Sequence, residues 1–257
     1  MVNYDWNEKI EYLKTTRQQM WNDDYFEFLV KCVWKFYKPI DIVDFGCGYG
    51  YLALKLLPLL PEGSTYTGID IAEDLLKEAE HIFAGTNYQT KFVRADLLEY
   101  QPARKYDLAI CQSVLRHIPQ SKDVLSKMVD ATCDGGMVVC IEPNRRMENT
   151  GMYMDATGFD IQERDSFLYE HWENEFKNGG RDYLIGSKIP IYMEQLGLRD
   201  VNVRVNDFVE VVSPNRDKEN YGKHKASFIE NNLSGVQETN ADYMISARCH
   251  LISYGWK

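Results

Sequence analysis

A glycine-rich segment that begins with an acidic residue is the part of this sequence best suited to chemistry. The segment runs from Asp44 to Gly50 with the pattern D-x-G-x-G-x-G, and it overlaps the end of the β-rich run 40–45. Glycines at this spacing let the backbone adopt positive φ angles and approach a ligand closely. The dinucleotide fingerprint G-x-G-x-x-G/A would require Gly or Ala where this chain has Tyr51. A nicotinamide oxidoreductase is therefore disfavoured.

Residues 40–142 contain the elements that must position this segment. β-rich runs alternate there with amphipathic helical patterns such as 73–83, in which apolar residues recur at spacings typical of one helix face. The runs predicted as strands are 40–45, 65–69, 91–94, 106–111 and 137–141. This alternation is typical of a parallel sheet with right-handed crossovers, in which ligands bind at the carboxyl ends of the strands. We therefore predict a doubly wound α/β fold.

The flanking regions are predicted to be largely helical. Residues 1–38 form an N-terminal helical cap, and the main domain spans 39–257 with insertions at about 144–186 and 214–241. The first insertion is predicted to be a helical lid, because long loops beyond strand ends commonly carry specificity. The predicted elements are helices at 24–37, 124–133 (ended by Gly135-Gly136), 165–176, 188–196 and 217–232, and further strands within 201–212 and 243–254.

The order of motifs along residues 40–142 resembles that of the class I S-adenosylmethionine-dependent methyltransferases, in particular stand-alone bacterial enzymes that act on small molecules. The matching segments are Val43 to Gly50, Gly68-Ile69-Asp70-Ile71, Arg94-Ala95-Asp96-Leu97, Tyr106 to Cys111, Gln112 to Pro119 and Gly135 to Pro143. The resemblance implies a Rossmann-like methyltransferase fold with a mostly parallel, seven-stranded sheet. It also implies S-adenosylmethionine as cofactor and S-adenosylhomocysteine as product.

Two acidic residues are implied by the resemblance to hold the nucleoside part of the cofactor. Asp70 would bind the ribose, since one carboxylate can accept hydrogen bonds from both hydroxyl groups. The alternative is that Asp70 caps the helix that begins near Glu73. Asp96 and the following Leu97 would flank the adenine, and the alternative for Asp96 is a turn.

Two further charged residues are predicted near the amino-acid part of the cofactor. Asp44 either orders its own loop or approaches that group, and both roles are compatible. Arg17 either pairs with the cofactor carboxylate or is a solvated residue of an amphipathic helix. Cys47 is predicted to be a small loop residue and not a nucleophile. The complete predicted cofactor-binding set is Arg17, Asp44, Gly46, Cys47, Gly48, Asp70, Ile71, Leu75, Asp96, Leu97, Gln112 and Ser113.

His117 is the predicted catalytic residue, because it follows the fourth predicted strand on the rim where a methyl acceptor would approach. Imidazole exchanges a proton near neutral pH, although a role in packing or in contacting the cofactor is equally compatible with the sequence. Glu142 could position a substrate or pair with Arg145, and we favour a structural role. The aromatic candidates for an acceptor pocket, each with helix packing as the alternative, are Tyr153, Phe159, Phe167, Tyr169, His171 and Trp172.

Composition narrows the classes of partner and compartment. The 257 residues include 39 Asp and Glu against 29 Lys and Arg, for a formal net charge of −10. Nucleic acid is thus disfavoured as a partner, because a phosphate backbone favours clustered Lys and Arg. No apolar run approaches the ~20 residues of a membrane helix, and no signal peptide is predicted. The six scattered cysteines show no paired metal-ligand spacing, which predicts a reducing, cytoplasmic compartment and no metal site.

The sequence therefore predicts a cytoplasmic methyltransferase, monomeric or homodimeric, whose partner is a small-molecule methyl acceptor. Two alternatives stay open at this point. One is a methyltransferase that acts on a protein or a nucleic acid. The other is a non-catalytic module that binds S-adenosylmethionine without turnover.

Overall fold

A central sheet of seven strands organises the computed structural model, which describes residues 5–18, 20–150, 153–154, 161–216 and 243–257. The described residues form ten strands in two sheets: β1 (Asp41–Phe45), β2 (Thr65–Asp70), β3 (Gln89–Arg94), β4 (Tyr106–Gln112), β5 (Thr132–Glu142), β6 (Tyr153–Met154), β7 (Arg199–Val205), β8 (Val209–Val212), β9 (Met244–Ala247) and β10 (Leu251–Trp256). The central sheet has the order β3-β2-β1-β4-β5-β10-β7. Only β10 runs antiparallel to its neighbours in this sheet. The predicted doubly wound, mostly parallel seven-stranded fold is confirmed.

Helices cover both faces of the sheet, so that β1, β4 and β5 are largely buried, as is typical of parallel strands in α/β folds. The helices are α1 (Ile10–Gln18), α2 (Asp23–Phe28), α3 (Tyr51–Leu56), α4 (Glu73–Phe83), α5 (Ser121–Ala131), α6 (Arg145–Thr150), α7 (Ile161–Lys177) and α8 (Ile185–Gln195). One core cluster joins the N-terminal helices to the sheet, and the other joins α5 and α8 to the opposite face. No helix within the described ranges is both long and apolar enough to span a bilayer.

Two predicted helix ends were wrong, one of them because of contacts from a distant part of the chain. The glycine pair was expected to end a helix at 124–133, yet α5 ends at Ala131 and both glycines lie within β5. The C-terminal residue draws them into the sheet, since Gly135 N donates to Lys257 O and Lys257 N donates to Gly136 O, each at 3.0 Å. The helix predicted at 24–37 is observed as α2 followed by a π-helical segment, Leu29–Trp34. It ends earlier than predicted, because Lys35 adopts a left-handed φ of 58°.

A second, three-stranded sheet with the order β6-β9-β8 was not predicted. Its strands come from the first insertion, from the segment after β7 and from the segment before β10. The β-rich stretches predicted at 201–212 and 243–254 therefore each divide between the two sheets. The helix predicted at 217–232 lies outside the described residues.

Candidate functional site

A cavity of about 540 Å³ opens at the carboxyl ends of the parallel strands, next to the segment after β1. All the residues that the sequence singled out for cofactor binding or catalysis contribute to its wall: Arg17, Asp44, Gly46, Cys47, Gly48, Asp70, Ile71, Leu75, Asp96, Leu97, Gln112, Ser113 and His117. A cavity at this place is where open α/β sheets bind ligands. We call residues 44–50 the glycine loop.

Hydrogen bonds to β2 and close packing against Val114 fix the conformation of the glycine loop. Gly46 N and Cys47 N both donate to Ile69 O, at 2.8 and 2.9 Å. Gly46 has a φ of 79°, and a Cβ built there would lie 2.5 Å from Val114 Cγ2. At Gly48, with a φ of 54°, a Cβ would meet nothing closer than 4.0 Å. The loop is therefore packed from behind at Gly46 and open at Gly48, where it borders the cavity.

Asp70 connects the glycine loop to the start of α4. Its Oδ2 accepts a hydrogen bond from Gly48 N at 2.8 Å, and its Oδ1 accepts one from Ala72 N at 2.9 Å. Burial raises the pKa of Asp70, while these two N–H groups act in the opposite direction. Each carboxylate oxygen has two lone pairs, so both can still accept a hydrogen bond from a ligand in the cavity. The side chain thus orders the turn before α4 and also faces the predicted ribose position.

Asp44 is buried and has one carboxylate oxygen without a partner. Tyr66 OH donates to its Oδ2, whereas Oδ1 has no hydrogen-bond partner among the described residues. Burial raises the pKa of Asp44 to about 7, although the hydrogen bond from Tyr66 and the charge of Arg17 both oppose this rise. A buried acceptor of this kind is costly unless a donor reaches it. Asp44 therefore offers a place for a cationic donor.

The other predicted residues of this wall supply one acidic turn and apolar surface. Asp96 is exposed, and its Oδ1 accepts a hydrogen bond from Leu98 N at 2.8 Å, as expected of a turn residue. Leu75 and Leu97 are buried, whereas Ile71 is 55% exposed. Burial raises the pKa of the Cys47 thiol well above its ordinary value. Cys47 is thus unsuited to act as a thiolate nucleophile.

Arg17 and Met20 line the cavity, and hydrogen bonds hold Met20 and the adjacent Trp21 in place. Trp21 Nε1 donates to Gln112 Oε1 at 3.0 Å, and Asn206 Nδ2 donates to Met20 O at 2.7 Å. Both Gln112 and Arg17 reach the sulfur of Met20, so the Gln112 amide is engaged with this segment. Burial lowers the pKa of Arg17, and no carboxylate of the described residues forms an ion pair with it. Arg17 therefore offers a cation to the cavity.

Ser113 leads to a histidine that the sequence reasoning missed. Ser113 Oγ lies 3.2 Å from His250 Nε2, and His250 Nδ1 lies 3.3 Å from Glu148 Oε1. Glu148 Oε2 in turn accepts a hydrogen bond from Arg145 at 2.8 Å. Burial lowers the pKa of His250 to about 4, despite the neighbouring Glu148 carboxylate. The ring therefore stays neutral at physiological pH.

Glu142 serves the backbone, as favoured from the sequence. Its Oε1 accepts hydrogen bonds from Val114 N and Leu115 N at 2.8 and 2.7 Å. The suggested pairing with Arg145 does not form, because Arg145 pairs with Glu148 one turn further along α6. Burial raises the pKa of Glu142 to about 7. This carboxyl group holds the segment after β4 against the end of β5.

His117 lies on the cavity wall and packs edge-on against Trp6, with ring centroids 4.9 Å apart. Burial, followed by the charges of Arg116, Arg181 and Arg17, lowers its pKa to about 2. The imidazole is therefore neutral at physiological pH. A neutral ring at this depth can orient a neighbouring group through hydrogen bonds, and it is a weak base.

The first insertion contributes part of the predicted aromatic wall. Trp172 lines the cavity, stacks on Tyr183 with centroids 5.8 Å apart, and receives the edge of Tyr169. His171 packs near Tyr183, with ring centroids 6.2 Å apart. The side chains of Tyr153, Phe159 and Phe167 lie outside the described residues. Arginines from several segments also line the cavity.

No group of side chains suited to hold a metal ion occurs in the described part of the chain. The described wall of the cavity offers carboxylates, guanidinium groups, neutral imidazoles and the backbone of the glycine loop.

Comparison with known proteins gives one family over the central part of the chain. Residues 43–138 match the model of a methyltransferase domain. The chain is 32% identical over 124 residues to trans-aconitate 2-methyltransferase of Agrobacterium fabrum, covering 48% of this chain and 46% of that protein. It is 25% identical over 122 residues to a ubiquinone biosynthesis O-methyltransferase of Rickettsia felis, covering 46% and 49% respectively. This chain thus spans about half the length of these curated relatives.

Among solved structures, phosphoethanolamine N-methyltransferase 2 of Haemonchus contortus, in complex with S-adenosyl-L-methionine, shares the fold with a TM-score of 0.59. That alignment covers 100% of this chain and 60% of the other, at 14% sequence identity. At this identity the likeness concerns the fold alone.

Proposed function

We propose that this protein is an S-adenosylmethionine-dependent enzyme that methylates a small molecule, because residues 43–138 match the model of a methyltransferase domain. The acceptor is an N, O or S nucleophile, and S-adenosylhomocysteine is the second product. The observation that carries this proposal is the cavity of about 540 Å³, whose wall includes every residue that the resemblance assigned to the cofactor.

The residues present fit S-adenosylmethionine at three points. Asp70 has lone pairs left for the ribose hydroxyls after its bonds to Gly48 N and Ala72 N. Asp44 Oδ1, buried without a partner among the described residues, suits the cofactor ammonium group. The Arg17 guanidinium suits the cofactor carboxylate. Asp96 and Leu97 then stand beside the adenine, with Leu75 and Ile71 as further apolar surface.

The residues of this chain would contribute mainly alignment and the exclusion of water. When bound, the cofactor supplies an electrophilic methyl group on a sulfonium. The chain holds the acceptor in line with that methyl group, and such alignment supplies much of the rate of a displacement reaction. We place His117 on the acceptor side, where its neutral ring positions the nucleophile. His250 also belongs to this side of the cavity, where its neutral ring lies 3.2 Å from Ser113 Oγ.

We also propose that the protein works in the cytoplasm as a monomer or homodimer, with residues 1–38 as an N-terminal cap on the domain 39–257. All six cysteines are free thiols, which supports a reducing compartment. Core residues of the cap, such as Leu13 and Trp21, share a cluster with the sheet. The cap therefore packs as part of the wall of the cavity.

Calorimetric titration with S-adenosylhomocysteine tests the proposal. We expect micromolar binding, no binding of NADH, and an affinity at least about tenfold weaker for Asp70→Ala, roughly 1.4 kcal/mol. Asp123→Ala, an exposed aspartate in the first turn of α5, is the matched control and should bind as the wild type does. A folded sample that binds no S-adenosylhomocysteine would refute the proposal. Binding without methyl transfer to any member of an acceptor panel would favour a non-catalytic module instead.

A further inference from the structure

Four arginines from four separate segments line the part of the cavity beyond the cofactor residues. They are Arg116 after β4, Arg145 at the start of α6, Arg181 after α7 and Arg248 between β9 and β10. We call them the arginine cluster. Their sum of positive charge stands out in a chain whose formal net charge is −10.

Backbone hydrogen bonds hold three of these segments together. Asp182 N donates to Arg116 O at 2.9 Å, and Arg145 N donates to Tyr183 O at 3.0 Å. The segment 181–183 thereby bridges the residues after β4 and the residues after β5. The side chain of Asp182 is directed to Lys188, 2.6 Å away, and to Leu184 N. The cluster is thus preorganised by main-chain bonds, and its adjacent aspartate serves a different cation.

Few carboxylates share the described wall of the cavity with the arginine cluster. Apart from the predicted cofactor residues, Glu148 is the one acidic side chain among the described lining residues. It is shared between Arg145, at 2.8 Å, and His250, at 3.3 Å. Glu210 also acts on Arg248 electrostatically, from outside this wall. Bringing several cations together at a partly buried site is unfavourable unless an anion joins them.

Arg116 has a buried hydrogen-bond donor that pairs with no described residue. Its Nε is buried without a hydrogen-bond partner among the described residues, and its guanidinium lies over the ring of Tyr183 at 5.3 Å. Burial, together with the charges of Arg145 and Arg181, lowers its pKa to about 10. The group still carries its charge at neutral pH. A guanidinium stacked in this way presents a planar set of donors that suits a carboxylate or phosphate.

We propose that the methyl acceptor is an anionic small molecule that carries carboxylate or phosphate groups, and that the arginine cluster binds them. This inference rests on the proposed function and names its substrate class. The anion accepts hydrogen bonds from Arg116 and offsets the repulsion that Arg145 and Arg181 exert on it. Its own nucleophilic atom then lies beside His117 and His250, toward the cofactor residues.

Calorimetry on the protein saturated with S-adenosylhomocysteine, at about 150 mM salt to suppress weak surface attraction, tests the substrate class. The probes are tricarballylate and glycerol 3-phosphate, each paired with a neutral partner, tricarballylamide and glycerol. We expect at least one anion to bind, and its neutral partner to bind at least about tenfold more weakly. The stronger of the two anions identifies carboxylate or phosphate as the recognised group.

Variants locate the binding. Arg116→Gln and Arg181→Gln should each weaken anion binding at least about tenfold and leave binding of S-adenosylhomocysteine within about twofold, which also shows that they fold. Arg104→Gln is the matched control, because Arg104 pairs with Asp41 at the amino end of β1, whereas the cavity lies at the carboxyl ends of the strands. Binding of neither anion, equal binding of the neutral partners, or an equal loss in Arg104→Gln would each overturn the inference. The same titrations on cofactor-free protein keep it testable if S-adenosylhomocysteine does not bind, a result that would count against the proposed function alone.

Discussion

The glycine loop and the arginine cluster line the same cavity, yet they are built by different means. The glycine loop is a local structure, in which consecutive N–H groups of Gly46 and Cys47 share one carbonyl of β2. The arginine cluster gathers long side chains from segments that are far apart in the chain. One region therefore depends on backbone geometry that few substitutions preserve. The other depends on charges that can be removed one at a time.

This difference suggests a division of labour. A rigid backbone cradle suits a cofactor that is the same in every turnover, because close approach requires residues without side chains. A wall of long side chains on segments outside the strands suits the substrate, since it can change without disturbing the sheet. Substitutions in the glycine loop should accordingly weaken binding of the cofactor strongly. Substitutions in the arginine cluster should affect the acceptor alone.

The largest effect is expected from Gly46→Ala. The added Cβ would lie 2.5 Å from Val114 Cγ2, at a φ of 79° that L-residues rarely adopt. We expect binding of S-adenosylhomocysteine to weaken roughly hundredfold, about 2.7 kcal/mol, when measured by calorimetry.

Gly135→Ala separates the clash from backbone strain. Gly135 has nearly the same φ, 78°, but a Cβ there would meet no atom within 4 Å. This variant should lose only the ~1–2 kcal/mol of stability that a left-handed residue costs, with cofactor affinity unchanged. If Gly46→Ala bound as tightly as Gly135→Ala, the glycine loop would not be the constrained region described above.

How far the sequence leads depends on how local each feature is. The strands β1 to β4 and the helix α4 lie close to their predicted bounds, because buried parallel strands and amphipathic helices leave continuous patterns. Except for Arg17, the predicted cofactor-binding residues belong to motifs within the same stretch. The end of the helix before β5 was predicted wrongly, because Lys257 draws Gly135 and Gly136 into the sheet. A local sequence pattern cannot reveal a contact with a residue so far along the chain.

The acceptor side could not be assembled from the sequence for the same reason. His250, Glu148 and the arginine cluster come together only when β10 inserts beside β5 and the second sheet forms. No spacing rule relates such residues, since each is placed by a different element. The residue-by-residue roles at both ends of the cavity stay predictions that the variants described here test.

The variant Arg17→Gln tests whether Arg17 binds the amino-acid part of the cofactor. We expect Arg17→Gln to weaken S-adenosylhomocysteine binding about tenfold, because its guanidinium suits the cofactor carboxylate. Binding of 5′-methylthioadenosine, which lacks the amino-acid part, should be unchanged. Lys14→Gln, on the same helix and paired with Glu78 at 2.7 Å, is the control and should alter neither. An equal loss for both ligands would instead make Arg17 a structural residue of the N-terminal segment.

The smallest expected effect concerns His117, which lies between the two regions. Its pKa is lowered to about 2 in the folded protein, against about 6.5 in an unfolded chain. Between these values the unfolded state binds more protons, so the free energy of unfolding must fall as the pH falls below 6.5. From pH 8 to pH 6 this residue should account for roughly 1 kcal/mol of lost stability.

Urea denaturation of His117→Asn at both pH values measures that share. The loss of packing against Trp6 lowers the free energy of unfolding equally at both pH values. Because only the wild type carries the titrating imidazole, its advantage in free energy of unfolding over the variant should be smaller at pH 6 by roughly 1 kcal/mol. His81→Asn, an exposed position on α4, shows the effect of removing a histidine outside the cavity. A difference that does not change with pH would mean that His117 titrates normally in the folded state. It could then act as a base near neutral pH, and the positioning role assigned to its neutral ring would be wrong.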